Sequence, residues 1–377
     1  MRSPFFPGNL AILQRVLPVY RAPFFDLLAE SCERGLSICA GEPRMSEAIE
    51  TTRKLSTANI TPVRNIHLLG GPLYMCWQAG LINWLNNQNP DALIVEANPR
   101  YPSTHSVIRW MKKRSRPVIG WGLGSSQHTG LLAGLRKTGR LNFIHQFDAL
   151  LTYSQRGAAE YQELGYPSER IFVAPNAVAH RPNEPIRERP PFFPNQACLL
   201  FVGRLQSRKR IDLLLHACAA LPAEQQPRLV VVGDGPERIA LELLASQIYP
   251  ATVFTGPRHG SDLTPFFVDA DLFVLPGTGG LAVQEAMSYA LPVIVARGDG
   301  TQEDLVRPGN GWQIPVDDLA SLIHTLSLAL SDTVRLRKMG LESFRIVSEE
   351  INLEKMVDVF VDVLRKVGNK NTIGSGK

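Results

Sequence analysis

The sequence predicts an α/β protein built from two doubly wound parallel sheets. Its 377 residues favour two domains, at about 100 to 200 residues per domain. Apolar runs of strand length alternate with amphipathic segments of helix length, and a proline-rich break interrupts the chain near its middle. Hydrophobic residues make up 44% and charged residues 20% of the chain, which excludes a disordered or fibrous protein.

The first half of the chain contains six predicted strands, which cover residues 11–14, 36–40, 92–96, 117–120, 149–153 and 171–174. Helices fit between them, for example over 22–34 and 155–164. The second half contains five predicted strands, over 198–202, 229–232, 252–254, 272–275 and 292–295. Helices are expected over 211–220, 236–246 and 281–290. Both halves therefore follow the same strand–helix alternation, without a sequence repeat.

The composition changes between residues 176 and 196. This segment holds five prolines and scattered charges, so it is a poor helix and a poor strand. We predict a first domain over 1–180, a linker over 181–196 and a second domain over 197–345. An amphipathic helix over 346–368 is expected to pack on the first domain, and the polar tail over 369–377 to be disordered.

Charge and cysteine content narrow the classes of partner. A net charge of +5 suits anionic ligands or a lipid surface without requiring either, and nucleic acid is not implied. The five cysteines are odd in number and lack CxxC or metal-ligand spacing, which predicts neither disulfides nor a metal site. No apolar run approaches the roughly 18 residues of a membrane span, and prolines break any leader-like segment. A cytoplasmic location is expected.

The loop after the strand at 198–202 carries cations next to a helix start. Gly203 ends the strand, and Arg204 and Lys209 follow in the loop. Ligands of open α/β sheets bind outside the carboxyl ends of strands, where two cations could hold a diphosphate. The alternative is a solvated turn in which Arg208 and Arg210 only add charge.

Two further glycine-containing loops follow strands of the second half. In the first, Gly233 and Asp234 lie in the run GDGP, which alone is only a turn. The second is PGTGGLAVQEAMSYALP, beginning at Pro276, where a glycine-rich turn leads into a helix near Leu281. Backbone amides there could cradle phosphate, and Glu285 could accept hydrogen bonds from a ribose diol. Glu285 could instead be a surface glutamate that interacts with the helix dipole.

The first half contains weaker candidates. Gly122 and Gly124 lie in GWGLG after a strand, a partial relative of a dinucleotide-binding loop that lacks the expected third-glycine spacing. His105 and His128 are polar candidates, although such histidines are more often structural. Basic residues between 109 and 116 either complement a helix dipole or face an anionic membrane.

Taken together, the motifs GRL-x3-K, VVGDGP, FTG, ADLFVLPG and GGLAVQEAMSYALPVIV resemble glycosyltransferase family four, from about residue 148 to 315. That resemblance implies the GT-B fold, with two facing Rossmann-like domains, a deep interdomain cleft and the acceptor site in the first domain. It implies transfer of a sugar from a nucleotide-diphosphate sugar to a hydroxyl of a glycan or lipid-linked acceptor. Retention at the anomeric carbon, no metal and no other cofactor are also implied, and a peripheral membrane contact is a further expectation.

The resemblance also implies roles for individual residues. Arg204 and Lys209 match the pair that neutralises the donor diphosphate, and Glu285 matches the second of two glutamates, the one that holds the ribose. The first glutamate should stand at Gly277 and is missing, so its contact is lost or passes to amides within 278–280. The remaining donor-binding candidates are Gly203, Gly233, Asp234, Arg258, Thr278, Gly279, Gly280 and Leu281.

The donor-sugar contact in the first domain is less defined. A histidine is frequent in this family where the chain has Leu123, so His128 is a substitute candidate beside Gly122 and Gly124. Two alternative functions follow: a nucleotide-sugar-binding protein that has lost catalysis, or a nicotinamide-dependent oxidoreductase that uses the GWGLG loop.

Overall fold

A computed structural model describes residues 5–47, 49–124, 133–183, 185–186, 188–298 and 300–373 of the chain. The chain divides into two compact units. One unit contains the residues up to Val178 together with those from Leu353 onward, and the other runs from Ala179 to Asn352.

The first unit is a parallel sheet with helices in its connections. Its strands are β1 (Leu10–Val16), β2 (Leu36–Gly41), β3 (Asn59–Pro62), β4 (Asn65–Leu68), β5 (Met75–Gln78), β6 (Ala92–Glu96), β7 (Val118–Gly122), β8 (Ala149–Thr152) and β9 (Ile171–Val173). Its helices are α1 (Ala22–Glu30), α2 (Leu81–Gln88), α3 (Thr104–Lys112), α4 (Ala133–Ile144) and α5 (Gln155–Glu163). In the described part of the chain the sheet order is β3-β2-β1-β6-β7-β8-β9, while β4 and β5 form a separate antiparallel hairpin.

The second unit is another parallel sheet. Its strands are β10 (Cys198–Val202), β11 (Arg228–Val232), β12 (Thr252–Gly256), β13 (Leu272–Leu275), β14 (Val293–Ala296) and β15 (Gly311–Ile314). Its helices are α6 (Ile211–Ala219), α7 (Arg238–Ile248), α8 (Thr264–Asp269), α9 (Ala282–Ser288), α10 (Thr301–Leu305), α11 (Leu319–Ser331) and α12 (Thr333–Glu349). The order is β12-β11-β10-β13-β14-β15, and the strands are buried because helices cover both faces.

The last helix, α13 (Leu353–Ile373), belongs to the first unit. Its Phe360 ring lies edge-on to Phe24 and to Trp121, with a centroid distance of 4.9 Å to each. Arg21, which is buried, donates to the carbonyl of Ala177 at 3.2 Å and contacts the sulfur of Met356 at 3.8 Å. These contacts join the start of α1, the end of the first unit's main segment and α13 into one core.

The boundaries differ from the predicted ones at three places. The segment after Val178 belongs to the second unit, where Arg189 donates to the carbonyls of Phe267 at 2.9 Å and Val268 at 3.0 Å. The final helix begins at Leu353 rather than at 346, because α12 extends to Glu349. The predicted disordered tail is helical over 369–373, because adding residues to a helix that has already formed is favourable. Residues 374–377 lie outside the described residues.

Candidate functional site

The loops after β10 and β13 meet at the switch point of the second sheet. β10 pairs with β11 on one side and with β13 on the other, so the chain leaves these two neighbouring strands in opposite directions. Parallel sheets of this kind bind ligands at the carboxyl edge where the strand order reverses. The predicted residues Arg204, Lys209 and Glu285, and the run 277–281, all follow these two strands.

Backbone contacts hold the adjacent loops together. Gly233 donates its amide to the carbonyl of Gly256 at 3.0 Å, and Gly203 donates to Val232 at 3.0 Å. A Cβ on Gly233, whose φ is +144°, would lie 2.9 Å from the carbonyl carbon of Gly203. The Leu205 amide donates to the backbone carbonyl of Asp234 at 2.9 Å. Gly233 is therefore required by loop packing, whether or not it also approaches a ligand.

Lys209 is the buried cation of this edge. Lys209 is only 6% exposed, and its Nζ donates to the carbonyls of Thr278 at 2.9 Å and Gly279 at 2.8 Å. Burial, reinforced by the neighbouring Arg208 guanidinium, lowers the pKa of Lys209 to about 8. In the described part of the chain no carboxylate forms an ion pair with this ammonium. Two of the three N–H groups of the ammonium donate to these carbonyls, so one N–H group remains available to a ligand.

Gly277 is where the two loops come closest. A Cβ at this position would overlap the carbonyl oxygen of Arg208 and lie 2.6 Å from the Cα of Lys209. The next residue, Thr278, donates its amide to that same carbonyl of Arg208 at 3.0 Å. The absence of a glutamate at position 277 thus has a steric reason. The Thr278 amide, one of the groups expected to replace the contact of that glutamate, already donates to the Arg208 carbonyl.

The following amides have no such partner. Among the described residues, the amides of Gly279, Gly280 and Leu281 donate no hydrogen bond. Gly279 and Gly280 have φ values of +67° and +147°, and a Cβ on Gly280 would overlap Leu275, so the turn depends on both glycines. Glu285 follows in α9, where burial raises the pKa of its carboxyl group.

The remaining predicted cations are exposed. Arg204 and Arg258 form no ion pair with any described residue, and no hydrogen bond links either side chain to Lys209. The cation that does accompany Lys209 is Arg208, whose guanidinium donates to the Thr278 carbonyl at 3.3 Å. Sequence reasoning treated Arg208 as added charge, although its position directly before Lys209 was the available signal.

The glycines predicted in the first unit are used in packing. A Cβ on Gly122 would lie 2.6 Å from the Tyr161 hydroxyl, and one on Gly124, whose φ is +121°, would lie 2.8 Å from the Cα of Gly157. The loop after β7 therefore lies directly against α5. A donor-sugar or acceptor role for these glycines stays a prediction.

Of the histidine candidates, His128 lies outside the described residues, and Leu123, at the position where a histidine was expected, is exposed. His105 has structural contacts, since Nδ1 lies 3.3 Å from the side-chain oxygen of Gln146 and its ring packs on Phe143. The described structure thus assigns no histidine to the donor.

The basic residues near the end of α3 have partners within the first unit. Lys112 forms an ion pair with Asp148 at 2.6 Å, and Arg116 donates to the side chain of Asn89 at 2.7 Å. Arg114 stacks on Trp110 with 3.8 Å to the ring centroid. This arrangement favours the structural alternative over a membrane-facing one.

Sequence reasoning missed a polar cluster at the switch point of the first sheet, where β1 adjoins β6. Arg15, at the end of β1, donates its amide to Glu96 Oε1 at 3.0 Å and its guanidinium to Glu47 at 2.8 Å. Burial raises the pKa of Glu96, and burial likewise raises the pKa of Tyr101. The signal was a charged residue at or near the carboxyl end of each of two buried strands.

The described residues contain no group of three or more His, Cys, Asp or Glu side chains placed to hold a metal ion. No described helix is both long and apolar enough to cross a bilayer. All five cysteines are buried and free.

Two Rossmann-like parallel sheets define the class as a two-domain α/β protein of the GT-B fold, and the predicted fold class is confirmed. Residues 196–332, less than half of the chain, match the family described as glycosyl transferases group 1. The resemblance to glycosyltransferases that its motifs carried is confirmed as well.

Sequence relatives match over part of the chain. A GDP-mannose-dependent alpha-mannosyltransferase of Mycobacterium tuberculosis is 36% identical over 135 residues, which are 33% of this chain and 34% of that protein. N-acetyl-alpha-D-glucosaminyl L-malate synthase of Bacillus anthracis is 24% identical over 236 residues, 59% of this chain and 61% of the relative. The matched region thus spans about a third of the mannosyltransferase and less than two thirds of the synthase.

Solved structures match over almost the whole chain. HepE of Anabaena in complex with UDP has a TM-score of 0.67 at 15% identity, covering 97% of this chain and 99% of that one. Sucrose-phosphate synthase of Thermosynechococcus elongatus has a TM-score of 0.66 at 17% identity, covering 96% and 99%. At these identities the likeness establishes the fold alone.

Proposed function

We propose that the protein is a retaining, metal-independent glycosyltransferase. It moves a sugar from a nucleotide-diphosphate sugar to a hydroxyl of a glycan or lipid-linked acceptor. The observation that carries this proposal is the buried ammonium of Lys209, which lies at the switch point among backbone carbonyls with no described carboxylate paired to it.

A buried cation is costly unless an anion compensates it. Among the described residues, the charged neighbour that shifts the pKa of Lys209 is Arg208, which is also cationic. The unpaired amides of Gly279, Gly280 and Leu281 add further donors to the same loop. The group that best complements this set is a doubly charged phosphate chain, as in the donor of the family that the segment 196–332 matches.

The chemistry follows from this electrostatic arrangement. When the bond from the anomeric carbon to the diphosphate oxygen breaks, negative charge builds on the leaving group. Lys209 and the glycine amides stabilise that charge, and Arg204 supplies a second, exposed cation from the same loop. The acceptor oxygen bonds to the anomeric carbon on the same face, and its proton passes to the departing phosphate. No side-chain nucleophile is required.

Glu285 and the first unit have separate roles in this proposal. Glu285 accepts hydrogen bonds from the ribose hydroxyls, and Arg258 and the backbone near Gly256 lie beside the base. The polar cluster of Arg15, Glu47 and Glu96 is the acceptor-binding candidate of the first unit, since it occupies the corresponding switch point. Relatives named for GDP-mannose and structures solved with UDP support guanosine or uridine donors.

The test begins with thermal unfolding of the purified chain in UDP, GDP and NAD. A ligand at 100 times its dissociation constant raises the free energy of unfolding of the protein by about 2.7 kcal/mol. The nucleotide that binds is therefore readily distinguished from those that do not. A panel of nucleotide sugars is then assayed for released nucleotide, with and without a chelator. We expect UDP or GDP to stabilise the protein and one donor to turn over with the chelator present.

The other outcomes select an alternative. Stabilisation by NAD instead of UDP and GDP would replace the proposal with an oxidoreductase. Stabilisation by UDP or GDP without turnover of any donor would indicate a nucleotide-sugar-binding protein that has lost catalysis.

A further inference from the structure

Gln284 is a buried side chain of α9, directly before Glu285. The residue is only 2% exposed. Its Oε1 accepts a hydrogen bond from the Ala179 amide at 3.3 Å, and its Nε2 donates to the Ile351 carbonyl at 2.6 Å. A backbone amide only donates and a carbonyl only accepts, so this pair of bonds requires a side chain that combines an acceptor with a donor.

The two partners of Gln284 lie where the chain enters and leaves the second unit. Ala179 is the first residue of that unit, and Ile351 is the last but one. They are 105 and 67 positions away from Gln284 in the sequence. We call residues 176–179 the entry segment and residues 351–356 the exit segment. One buried side chain therefore ties α9 to both segments.

The first unit holds the same two segments through Arg21. This buried guanidinium donates to the Asn176 side-chain oxygen and to the Ala177 carbonyl, and it contacts the Met356 sulfur. One residue separates Ala177 from the Ala179 amide. Because only short stretches of chain lie between the positions held by Arg21 and those bonded from α9, a displacement of α9 acts on the entry and exit segments.

The same helix carries the proposed donor contacts. The turn at Gly279 and Gly280 leads into α9, where Gln284 and Glu285 are neighbours. More than half of the residues of α9 are buried, so the helix shifts as a body and not residue by residue. The position of Gln284 therefore sets that of the Glu285 carboxyl group and of the amides that precede the helix.

We propose that Gln284 is a positioning residue for the nucleotide donor, through which the glycine turn and Glu285 are coupled to the entry and exit segments. This inference rests on the proposed function, because it needs a nucleotide bound at this loop. Phosphate and ribose contacts select the position of α9 in which Gln284 makes both bonds. Such coupling is reciprocal, so a bound nucleotide stabilises the two segments and loss of the Gln284 bonds weakens nucleotide binding.

The experiment uses the full chain with UDP and GDP as probes. In Gln284→Met the side chain keeps a similar length and volume but supplies no donor to the Ile351 carbonyl. The milder Gln284→Asn keeps the primary amide and is one methylene shorter, so it cannot reach both partners. Calorimetric titration measures nucleotide affinity, and amide hydrogen exchange measures the protection of the entry and exit segments with and without nucleotide.

The matched control is Asn310→Leu. Asn310 is a fully buried amide of the same unit, whose Nδ2 donates to the Leu305 carbonyl at 3.1 Å and whose Oδ1 accepts the Arg307 amide at 2.6 Å. It lies directly before β15, at the amino edge of the sheet. This variant therefore loses comparable bonds to the backbone, away from the loop that leads into α9.

We expect nucleotide to slow hydrogen exchange in both segments of the wild type. Gln284→Met should bind nucleotide about tenfold more weakly and lose this slowing, a change within the usual range of coupling between two sites. Gln284→Asn should show a smaller loss of both. Asn310→Leu should unfold at a lower temperature yet keep the nucleotide affinity and the nucleotide-dependent protection of the wild type.

Wild-type affinity in both Gln284 variants, or unchanged nucleotide-dependent protection of their two segments, would overturn the proposal. Equal losses in Gln284→Met and Asn310→Leu would overturn it as well, because the effect would then follow from reduced stability alone. Nucleotide binding by the wild type without protection of the two segments would contradict this inference and leave the proposed function standing. If neither nucleotide binds the wild type, the proposed function fails and this inference fails with it.

Discussion

Gly277 lies against the carbonyl of Arg208, so closely that a Cβ on Gly277 would overlap this oxygen. The loops after β10 and β13 are thus joined backbone to backbone. The hydrogen bond from the Thr278 amide to the same carbonyl, at 3.0 Å, continues this contact. The contact of Lys209 with the loop after β13 depends on this backbone packing.

We expect Gly277→Glu to damage the site instead of restoring the glutamate that the family resemblance implies. The larger residue must push the two loops apart, at a cost of about 1 to 3 kcal/mol in the free energy of unfolding. Donor binding should weaken with it, since the Lys209 ammonium loses its carbonyl partners. Chemical denaturation and nucleotide titration measure the two effects.

The matched control is Gly139→Glu in α4, where a new Cβ meets no atom within 4 Å. Its stability and nucleotide affinity should stay close to those of the wild type. A Gly277→Glu protein with raised activity would contradict the steric account.

Removing either proposed phosphate-binding cation should slow transfer strongly. Lys209→Ala and Arg204→Ala are each expected to lower kcat/KM by about 100-fold to 1,000-fold, because each removes stabilisation of the leaving diphosphate. Steady-state kinetics with the donor identified in the panel measures the loss.

Arg228→Ala is the control for charge in the same unit. Arg228 begins β11 at the opposite edge of the sheet, where it pairs with Asp269. Exposed ion pairs contribute about 0 to 1 kcal/mol, so this variant should fold and keep its rate. Wild-type rates in both Lys209→Ala and Arg204→Ala would contradict the proposed chemistry.

The affinity for nucleotide diphosphate should fall as the pH rises through about 8. The pKa of Lys209 is lowered to about 8 by burial, so its ammonium is charged below that pH and loses its proton above it. A bound diphosphate favours the charged form and therefore raises this pKa. Affinity should fall by up to about tenfold per pH unit above pH 8. Calorimetric titration across this range measures the trend.

Without ligand the stability trend has the opposite sign. Between about pH 8 and the ordinary lysine pKa of 10.5, the unfolded chain holds a proton on this residue that the folded chain has lost. The contribution of Lys209 to folding stability therefore rises with pH in this window. Lys209→Ala should remove both dependences, and their persistence in that variant would assign them to another group.

Docking of α13 should depend on Phe360. Its ring contacts Phe24 and Trp121, so Phe360→Ala should destabilise the first unit by about 3 to 5 kcal/mol and change the tryptophan emission. Thermal unfolding followed by fluorescence measures both. The exposed Arg365→Ala on the same helix is the control, and equal stability of the two variants would contradict this role for Phe360.

The main strands could be predicted because their signal is local. Continuous apolar runs such as those of β10 and β13 are buried on both faces, and their bounds in the structure equal the predicted ones. The short strands β3, β4 and β5 were missed, since they are partly exposed and β4 and β5 have their apolar residues on the solvent side. Local patterning misreads an element whose apolar face is not its buried face.

The sequence by itself determined the fold class, the glycosyltransferase resemblance and the placing of cations and glycines at strand ends, because each depends on residues close together in the chain. Only the tertiary structure decided that Lys209 is held by the carbonyls of Thr278 and Gly279, some 70 positions away, and that Gly277 admits no side chain. It also decided that Arg15 meets Glu96 across neighbouring strands. Such contacts are set by strand order and loop packing, which no local pattern encodes.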